Sequence, residues 1–311
     1  MRIPVISVVT DEAGHLRDWL ACIRRMNRHI VVPVPCVVDN GSSDETAGLL
    51  WSAIRQDQID RNNVFWLPAN RGFASAQNHA LRQLGARNEH AYFATLNIDA
   101  EASSDWLENL VREARSSSSG VGMWGGRILQ KWPLDNRVSS MGHALRARDG
   151  AFLDIDWNKP VDGDLDSNKP TFEPFCPCFA AALWSFEMVR DVGVPDNDQF
   201  LYYDDVDLAY KARLHGWSVR FVREAVAYHP LPNLKRTHDR QRLFQLEGRV
   251  LMACRYFPTP EREQVLATLT LAEREVLDGM PSKRKKQYGS EDMRKAVFQY
   301  WKNRYIPTRQ C

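Results

Sequence analysis

An α/β fold built on a mostly parallel sheet is predicted by three observations in the first two-thirds of the chain. Short apolar runs rich in β-branched residues alternate with longer stretches whose apolar positions recur at helical spacing. That strand–helix–strand order implies crossover connections, which lay helices on both faces of a parallel sheet. Polar clusters at Thr10-Asp11, Asp39-Asn40-Gly41, Asn70-Arg71-Gly72 and Asn97-Ile98-Asp99 punctuate the carboxyl ends of the apolar runs. Open α/β sheets bind their ligands beyond those ends.

Taken in order, "IPVISVVT" (3–10) reads as the first strand, and Leu16, Trp19, Leu20 and Ile23 mark an amphipathic helix running to Asn27. "VPCVVD" (34–39) is a second strand, and a helix follows from Asp44 to about Gln56. "VFWL" (64–67) and "AYFATLN" (91–97) are the third and fourth strands, with a helix near 74–84 between them and another starting near Ser104. The serine run 116–119 reads as a connector, and "VGMWGGRIL" (121–129) as a strand interrupted by a glycine turn. Residues 131–175 lack periodicity and are expected to form hairpins and loops. "CFAAALWSF" (178–186) is a buried strand or a tight turn. "DVDLAYKARLHGW" (205–217) is a helix with acids in its first turn, stopping at Gly216. "SVRFVREAVAYH" (218–229) alternates as a strand. From Gln241 the chain turns helical, with Leu243, Leu246, Val250, Leu251 and Cys254 on one face and Val265, Leu266 and Leu269 beyond.

The bulk numbers fit a globular chain of one large domain plus an appendage: 311 residues, 44% hydrophobic and 26% charged. The net charge of +2 hides an asymmetry, because Pro281 to Cys311 holds nine Lys and Arg against two acids. Such a tail suits an anionic membrane face or nucleic acid. No apolar run approaches the roughly 20 residues of a spanning helix, and "MRIPVISVVTDEAG" lacks the features of a signal peptide. A cytoplasmic protein is expected. Of the six cysteines only Cys176-Pro-Cys178 is close-set. A C-x-C without a second pair is poor zinc spacing, so reduced structural thiols are expected.

Carboxylates carry the chemistry. Asp39 ends an apolar run before Gly41 and Asp44; turn formation and helix capping account for the latter two but leave Asp39 free to meet a base or ribose. In "ANRGFASAQNHAL" (69–81), Gly72 permits close approach, while Arg71 and Asn78 either pack the helix or face a nucleotide. In "LNIDAE", Asp99 sits at a strand end where a hard cation such as Mg²⁺ or Mn²⁺ could bind. "FLYYDDVDLAYKARLHGW" (200–217) crowds Asp204, Asp205 and Asp207 at one helix start. Repulsion there should raise a carboxyl pKa and make Asp205 a better base, with Asp207 capping the helix or pairing with Lys211 at i+4. The bland alternative is a capped helix start with a solvated acidic face.

Five blocks in this order, "VVDNGSSDET", "NRGFASAQNHAL", "LNIDAE", "FLYYDDVDLAYKARLHGW" and "VRFVREAVAYH", resemble the family 2 glycosyltransferases with the GT-A fold. They look most like the rhamnosyltransferase-like branch of bacterial polysaccharide synthesis. The resemblance spans about residues 3–257. It implies that Thr10, Asp11, Asp39, Asn40, Arg71, Gly72, Asn78, Asn97, Lys211 and Arg213 face the donor. It implies Asp99 and His229 as metal ligands, with Asn97 a neutral substitute in the D-x-D position, and Asp205 as general base. Trp184, Tyr203 and Asp204 would lie on the acceptor side, and the divergent stretch before the base implies an altered acceptor pocket. Asp39, Asp99 and Asp205 must then converge on one cleft.

The expected reaction is metal-dependent, inverting transfer of rhamnose or another hexose from a dTDP-, UDP- or GDP-linked donor to a glycan or lipid-linked glycan hydroxyl. A nucleotidyltransferase is the main rival, but "TDEAGHL" is a poor phosphate loop; a non-catalytic nucleotide- or glycan-binding protein of the same fold is the other. Residues 1–240 are expected to form the catalytic domain, about 1–115 its nucleotide half and 116–240 its acceptor half, with 241–311 a helical extension ending in the basic tail. The helix predicted at 293–307, with Met293, Val297, Tyr300 and Trp301 on one face, either docks peripherally on anionic lipid or packs on the domain. No nucleic-acid module accompanies the charge, so nucleic acid is not an expected partner.

Overall fold

The computed structural model describes residues 1–131, 136–169, 172–230, 238–270 and 287–302. Among them a nine-stranded sheet runs in the order β3-β2-β1-β4-β10-β6-β11-β5, with β7 on β6. Its members are β1 (Arg2–Val9), β2 (Val32–Asn40), β3 (Val64–Leu67), β4 (Tyr92–Leu96), β5 (Glu101–Ala102), β6 (Val121–Gln130), β7 (Val138–Ser140), β10 (Ala181–Ser185) and β11 (Ser218–His229). Strands β1 to β4 are parallel; β10 opposes β4 and β6, so β6 and its parallel neighbour β11 run with the first four. The ends of β1, β2, β4 and β11 therefore share one edge.

Each strand's alternation feeds two cores. Ile3, Val5, Val9 and Val37 join α1 (Ala13–Arg25), α2 (Thr46–Arg55) and α4 (Trp106–Ser116) on one face. Ile6, Val8, Val34 and Val38 join α3 (Phe73–Arg87), α5 (Phe186–Val192) and α6 (Asp204–Leu214) on the other. Proline in a central strand removes a ladder donor, yet β2 holds Pro33 and Pro35. They are tolerated because Val32 N donates to Met1 O on the β1 side, which aims the intervening residues outward, and β3 pairs only from Val37 onward.

"CFAAALWSF" settles as a strand: β10 is buried throughout. The glycine turn expected inside 121–129 does not form, because β6 continues through it. Gly126 instead makes room for a bulge in β11 between Val222 and Val226, where a Cβ would stand 2.0 Å from Ala225 O. The expected hairpins between 131 and 175 include β8 (His143–Arg146) against β9 (Ala151–Asp154).

The C-terminal helices are α7 (His238–Tyr256), α8 (Thr259–Ala267) and α9 (Glu291–Trp301). They share the core beneath α6 through Met252, Tyr256, Phe257, Val265, Phe298 and Trp301. Helix α9 packs with Phe298 and Trp301, so Trp301 is drawn inward while Met293 and Tyr300 of its predicted face stay exposed. The basic run 283–286 and the end of the predicted helix, 303–307, lie outside the described residues. No described helix is long and apolar enough to cross a membrane. Cys22, Cys36, Cys176 and Cys254 are buried and Cys178 is half-buried, with no disulfide among the described residues; Cys311 lies outside them.

Candidate active site

Two loops at the β1 and β2 ends are laced together by carboxylates. Asp11, at a left-handed φ of 55°, accepts from Ser43 N at 2.6 Å and Asp44 N at 3.1 Å, and its own N–H donates to Ser42 Oγ. These backbone donors hold the Asp11 carboxyl below its usual range. Asp44 accepts from Thr46 N at the α2 start and from Ala13 N across the gap. Asp39, buried, accepts from Ser42 N at 2.9 Å, so it also braces the turn, a role the sequence reading did not give it. Asn40 accepts from Arg71 N and donates to Asn70 Oδ1, tying in the third loop. Thr10 is half-buried and Arg71 exposed at this rim. Gly72, at φ +83°, lets Phe200 O approach to 2.5 Å of where a Cβ would stand.

The second group lies at the ends of β4 and β11. His229 Nε2 is 3.3 Å from Asp99 Oδ1 and 3.3 Å from Asn97 Nδ2. Burial opposes both charges, but their mutual contact prevails: Asp99 is lowered and His229 raised. Glu12, at the start of α1, is pushed up to about 7 by burial and by the nearby Asp99. A cleft of about 270 Å³ opens beside Asp99, lined also by His15, Asp18, Glu101 and Lys131. A carboxylate, an imidazole and an amide converging at one strand edge fit a divalent cation with oxygen and nitrogen ligands.

The third group is the aspartate cluster. Tyr202 and Tyr203 both take left-handed φ, 66° and 65°, a cost of roughly 1–2 kcal/mol per residue that the surroundings must offset. Gly248 allows this, since any Cβ there would stand 2.5 Å from the Tyr203 ring. The turn delivers Asp205 to the sheet edge: Oδ2 accepts from Phe179 N at 3.1 Å and Oδ1 from Val206 N at 2.8 Å. The adjacent Ala180 O accepts from Asn97 N at 3.0 Å. Asp205 and the Asp99 group therefore flank the same short segment. His143 Nε2 also meets Asp205 Oδ2 at 3.0 Å, and its Nδ1 meets Asp154 Oδ1 at 3.3 Å. Against the cost of burial, these two carboxylates raise the His143 pKa well above the usual imidazole range.

The structure redistributes several expected roles. The carboxyl that rises in the cluster is Asp204, through burial first and repulsion from Asp205 second; its buried Oδ2 has no hydrogen-bond partner among the described residues. Lys211 pairs with Asp207 at 3.0 Å, as the i+4 spacing predicts, and donates to Val194 O. Arg213 is held by Glu173, Pro174 O and Phe175 O beneath Trp301. Both cations are thus committed to packing α6, Lys211 through Asp207 and Arg213 through Glu173, and neither pairs with Asp205 or Asp99. Asn78 is fully buried, donating to Pro195 O and Asn197 Oδ1. Trp184 is fully buried in β10, donating to Thr95 Oγ1 and packing on Phe179, so it is core rather than acceptor wall. Tyr203 packs edge-on against Phe152 beside the cluster.

Glu12, His143 and Asp154 are the groups that sequence reasoning missed. Glu12 reads as an ordinary helix start, and the other two fall in the aperiodic stretch where no local signal singles them out.

The glycosyl transferase family 2 sequence model matches residues 35–193, just over half of the chain. Over 259 residues the chain is 26% identical to an N-acetylglucosaminyl-diphospho-decaprenol L-rhamnosyltransferase of Mycobacterium tuberculosis, covering 73% of this chain and 75% of that protein. Among solved structures it resembles the mannosyltransferase PcManGT of Pyrobaculum calidifontis in complex with GDP-Man and Mn²⁺ (TM-score 0.54, 17% identity, 97% of this chain and 88% of that one). It also resembles S. aureus TarS 1-349 in complex with UDP-GlcNAc (TM-score 0.52, 13% identity, 91% and 72% covered).

Proposed function

Because the chain belongs to glycosyl transferase family 2 and has the GT-A fold, we propose that it is a metal-dependent, inverting hexosyltransferase with Asp205 as its base. The sugar, rhamnose foremost, moves from a nucleoside diphosphate to a hydroxyl of a glycan or lipid-linked glycan in surface-polysaccharide synthesis. The name of the rhamnosyltransferase relative supports the sugar and a lipid-linked acceptor. One observation carries the reading: Asp205 is tethered to Phe179 N, next to the residue that holds Asn97.

In this reading the Asp205 carboxylate takes the proton of the acceptor hydroxyl as its oxygen attacks the anomeric carbon. Attack opposite the leaving diphosphate inverts that carbon in one displacement. Asp204, its pKa raised by burial and by the neighbouring Asp205, is the carboxyl of the adjacent pair less disposed to ionise. The loops bearing Thr10, Asp11, Asp39, Asn40, Arg71 and Gly72 receive the nucleotide, their shape fixed by the hydrogen bonds among them. Asp99 and His229, with Asn97 beside them, would hold a divalent cation, which supplies positive charge to the leaving diphosphate. Lys211 and Arg213 act by fixing α6.

Asp205→Asn tests the base. Turnover should fall by roughly 10²–10⁴-fold, while cooperative unfolding and the thermal shift induced by sugar nucleotides are kept. Near-parental turnover would remove Asp205 from that role. A thermal-shift screen of UDP-, dTDP- and GDP-sugars with Mn²⁺ identifies the donor.

A further inference from the structure

A second set of metal-ligating side chains surrounds the carboxylate assigned as the base. His143, Cys176 and Asp205 each bring one ligand atom to within 4.8 Å of the others, the one such trio among the described residues. Two of them are fixed by paired backbone: His143 N donates to Cys176 O at 2.9 Å, and Phe175 N donates to His143 O at 2.8 Å. The Cys178 thiol also stands near this imidazole, which works against the rise that burial gives its pKa. Behind the ring, Asp154 Oδ1 lies 3.3 Å from Nδ1, while Nε2 faces Asp205. A carboxylate backing an imidazole whose other nitrogen is turned toward the site is the support that orients zinc-bound histidines.

Thiolate, imidazole and carboxylate together suit Zn²⁺, whereas Mg²⁺ prefers oxygen ligands alone. Ligand atoms around one tetrahedral zinc stand about 3.5 Å apart, so a separation of 4.8 Å closes with inward shifts of under about 1 Å each. The C-x-C spacing looks poor for zinc only when the ligands are sought along the chain. Here the remaining ligands arrive from β8 and α6.

We propose that His143, Cys176 and Asp205, with Cys178 adjoining, form a Zn²⁺ site separate from the Asp99–His229 group, and that filling it switches off transfer by engaging Asp205. Binding releases the Cys176 thiol proton to solvent, and His143 binds through a deprotonated Nε2. The resulting thiolate and the Asp205 carboxylate balance the two charges of the ion. The effect on activity rests on Asp205 being the base; the metal site does not.

The full chain, stripped with a chelator and kept reduced by a phosphine, is titrated with Cd²⁺ alone. One equivalent should produce ultraviolet cadmium–thiolate absorption. Donor hydrolysis with dTDP-rhamnose, UDP-N-acetylglucosamine and GDP-mannose in excess Mg²⁺ should be lost at micromolar Zn²⁺ and restored by chelator. Cys176→Ala should keep the Mg²⁺ activity, lose the absorption and raise the half-inhibiting Zn²⁺ concentration at least about tenfold, the range by which metal-site changes weaken affinity. Cys176→Ser, nearly isosteric, serves if the alanine variant does not fold. Absent thiolate absorption, or equal Zn²⁺ inhibition of parent and variant, overturns the proposal. Should Asp205→Asn retain turnover while the parent still shows cadmium–thiolate absorption, the base assignment fails and the metal site stands.

Discussion

Asp204, Asp205 and Asp207 stand within four residues of one another, yet each meets a different environment. Asp204 is buried, one oxygen without a hydrogen bond among the described residues, and its carboxyl is pushed up. Asp205 is tethered by two backbone N–H groups and an imidazole. Asp207 is fully buried between Arg255, Lys211 and Tyr256. The like charges are thus relieved separately, and only the middle one reaches the sheet edge. Asp99 belongs to the same scale. Asp99→Ala should remove the cation-dependent part of donor binding, weakening affinity in Mn²⁺ by about tenfold or more and leaving affinity without metal unchanged. Calorimetry on the donor found by thermal shift, with and without Mn²⁺, decides it: a parent affinity indifferent to Mn²⁺ denies Asp99 that role.

Helix α6 shows how an element can serve the site by its far side. Asp207 Oδ1 accepts from Arg255 at 3.2 Å and from Tyr256 at 2.7 Å, while Oδ2 accepts from Asp196 N at 2.8 Å. The network locks α6 to α7 and to the loop ahead of the strained Tyr202-Tyr203 turn. Truncating one partner of a buried pair leaves an uncompensated charge, at about 3–5 kcal/mol. Arg255→Met should therefore lower unfolding stability by about 3 kcal/mol, the lower end because Lys211 still faces Asp207. Urea denaturation measures this; a change under about 1 kcal/mol would mean that the network is not what holds the two helices together.

At the scale of the molecule, α7 to α9 share the core of α6, and Arg213 is clasped between Phe175 and Trp301. A chain ending at residue 240 would expose that core, so it should be insoluble or lack cooperative unfolding. The full chain should melt in a single transition; two separate transitions by calorimetry would make the helical region an independent unit.

Much of this architecture was legible in the sequence. The alternation of β1 to β4 and the helices between them follow from periods of 2 and 3.6 residues, which are local properties of the backbone. The same periods put Asp39, Asn97 and Asp99 at strand ends, and the i+4 spacing paired Asp207 with Lys211. The Gly125-Gly126 pair was misread because its cause, a bulge in β11, lies about a hundred residues away. Trp184, Lys211 and Arg213 looked available because a side chain's partners cannot be read from its own segment. His143 meets Asp205 across 62 residues, and nothing near either one announces the other. The sequence by itself determined which elements form and which edge carries the acids, because those depend on neighbours a few residues apart. Only the tertiary structure decided which acid is tethered, which is raised by burial and which is neutralised by a cation. Burial and hydrogen bonding set those states, and both depend on groups brought together from distant parts of the chain.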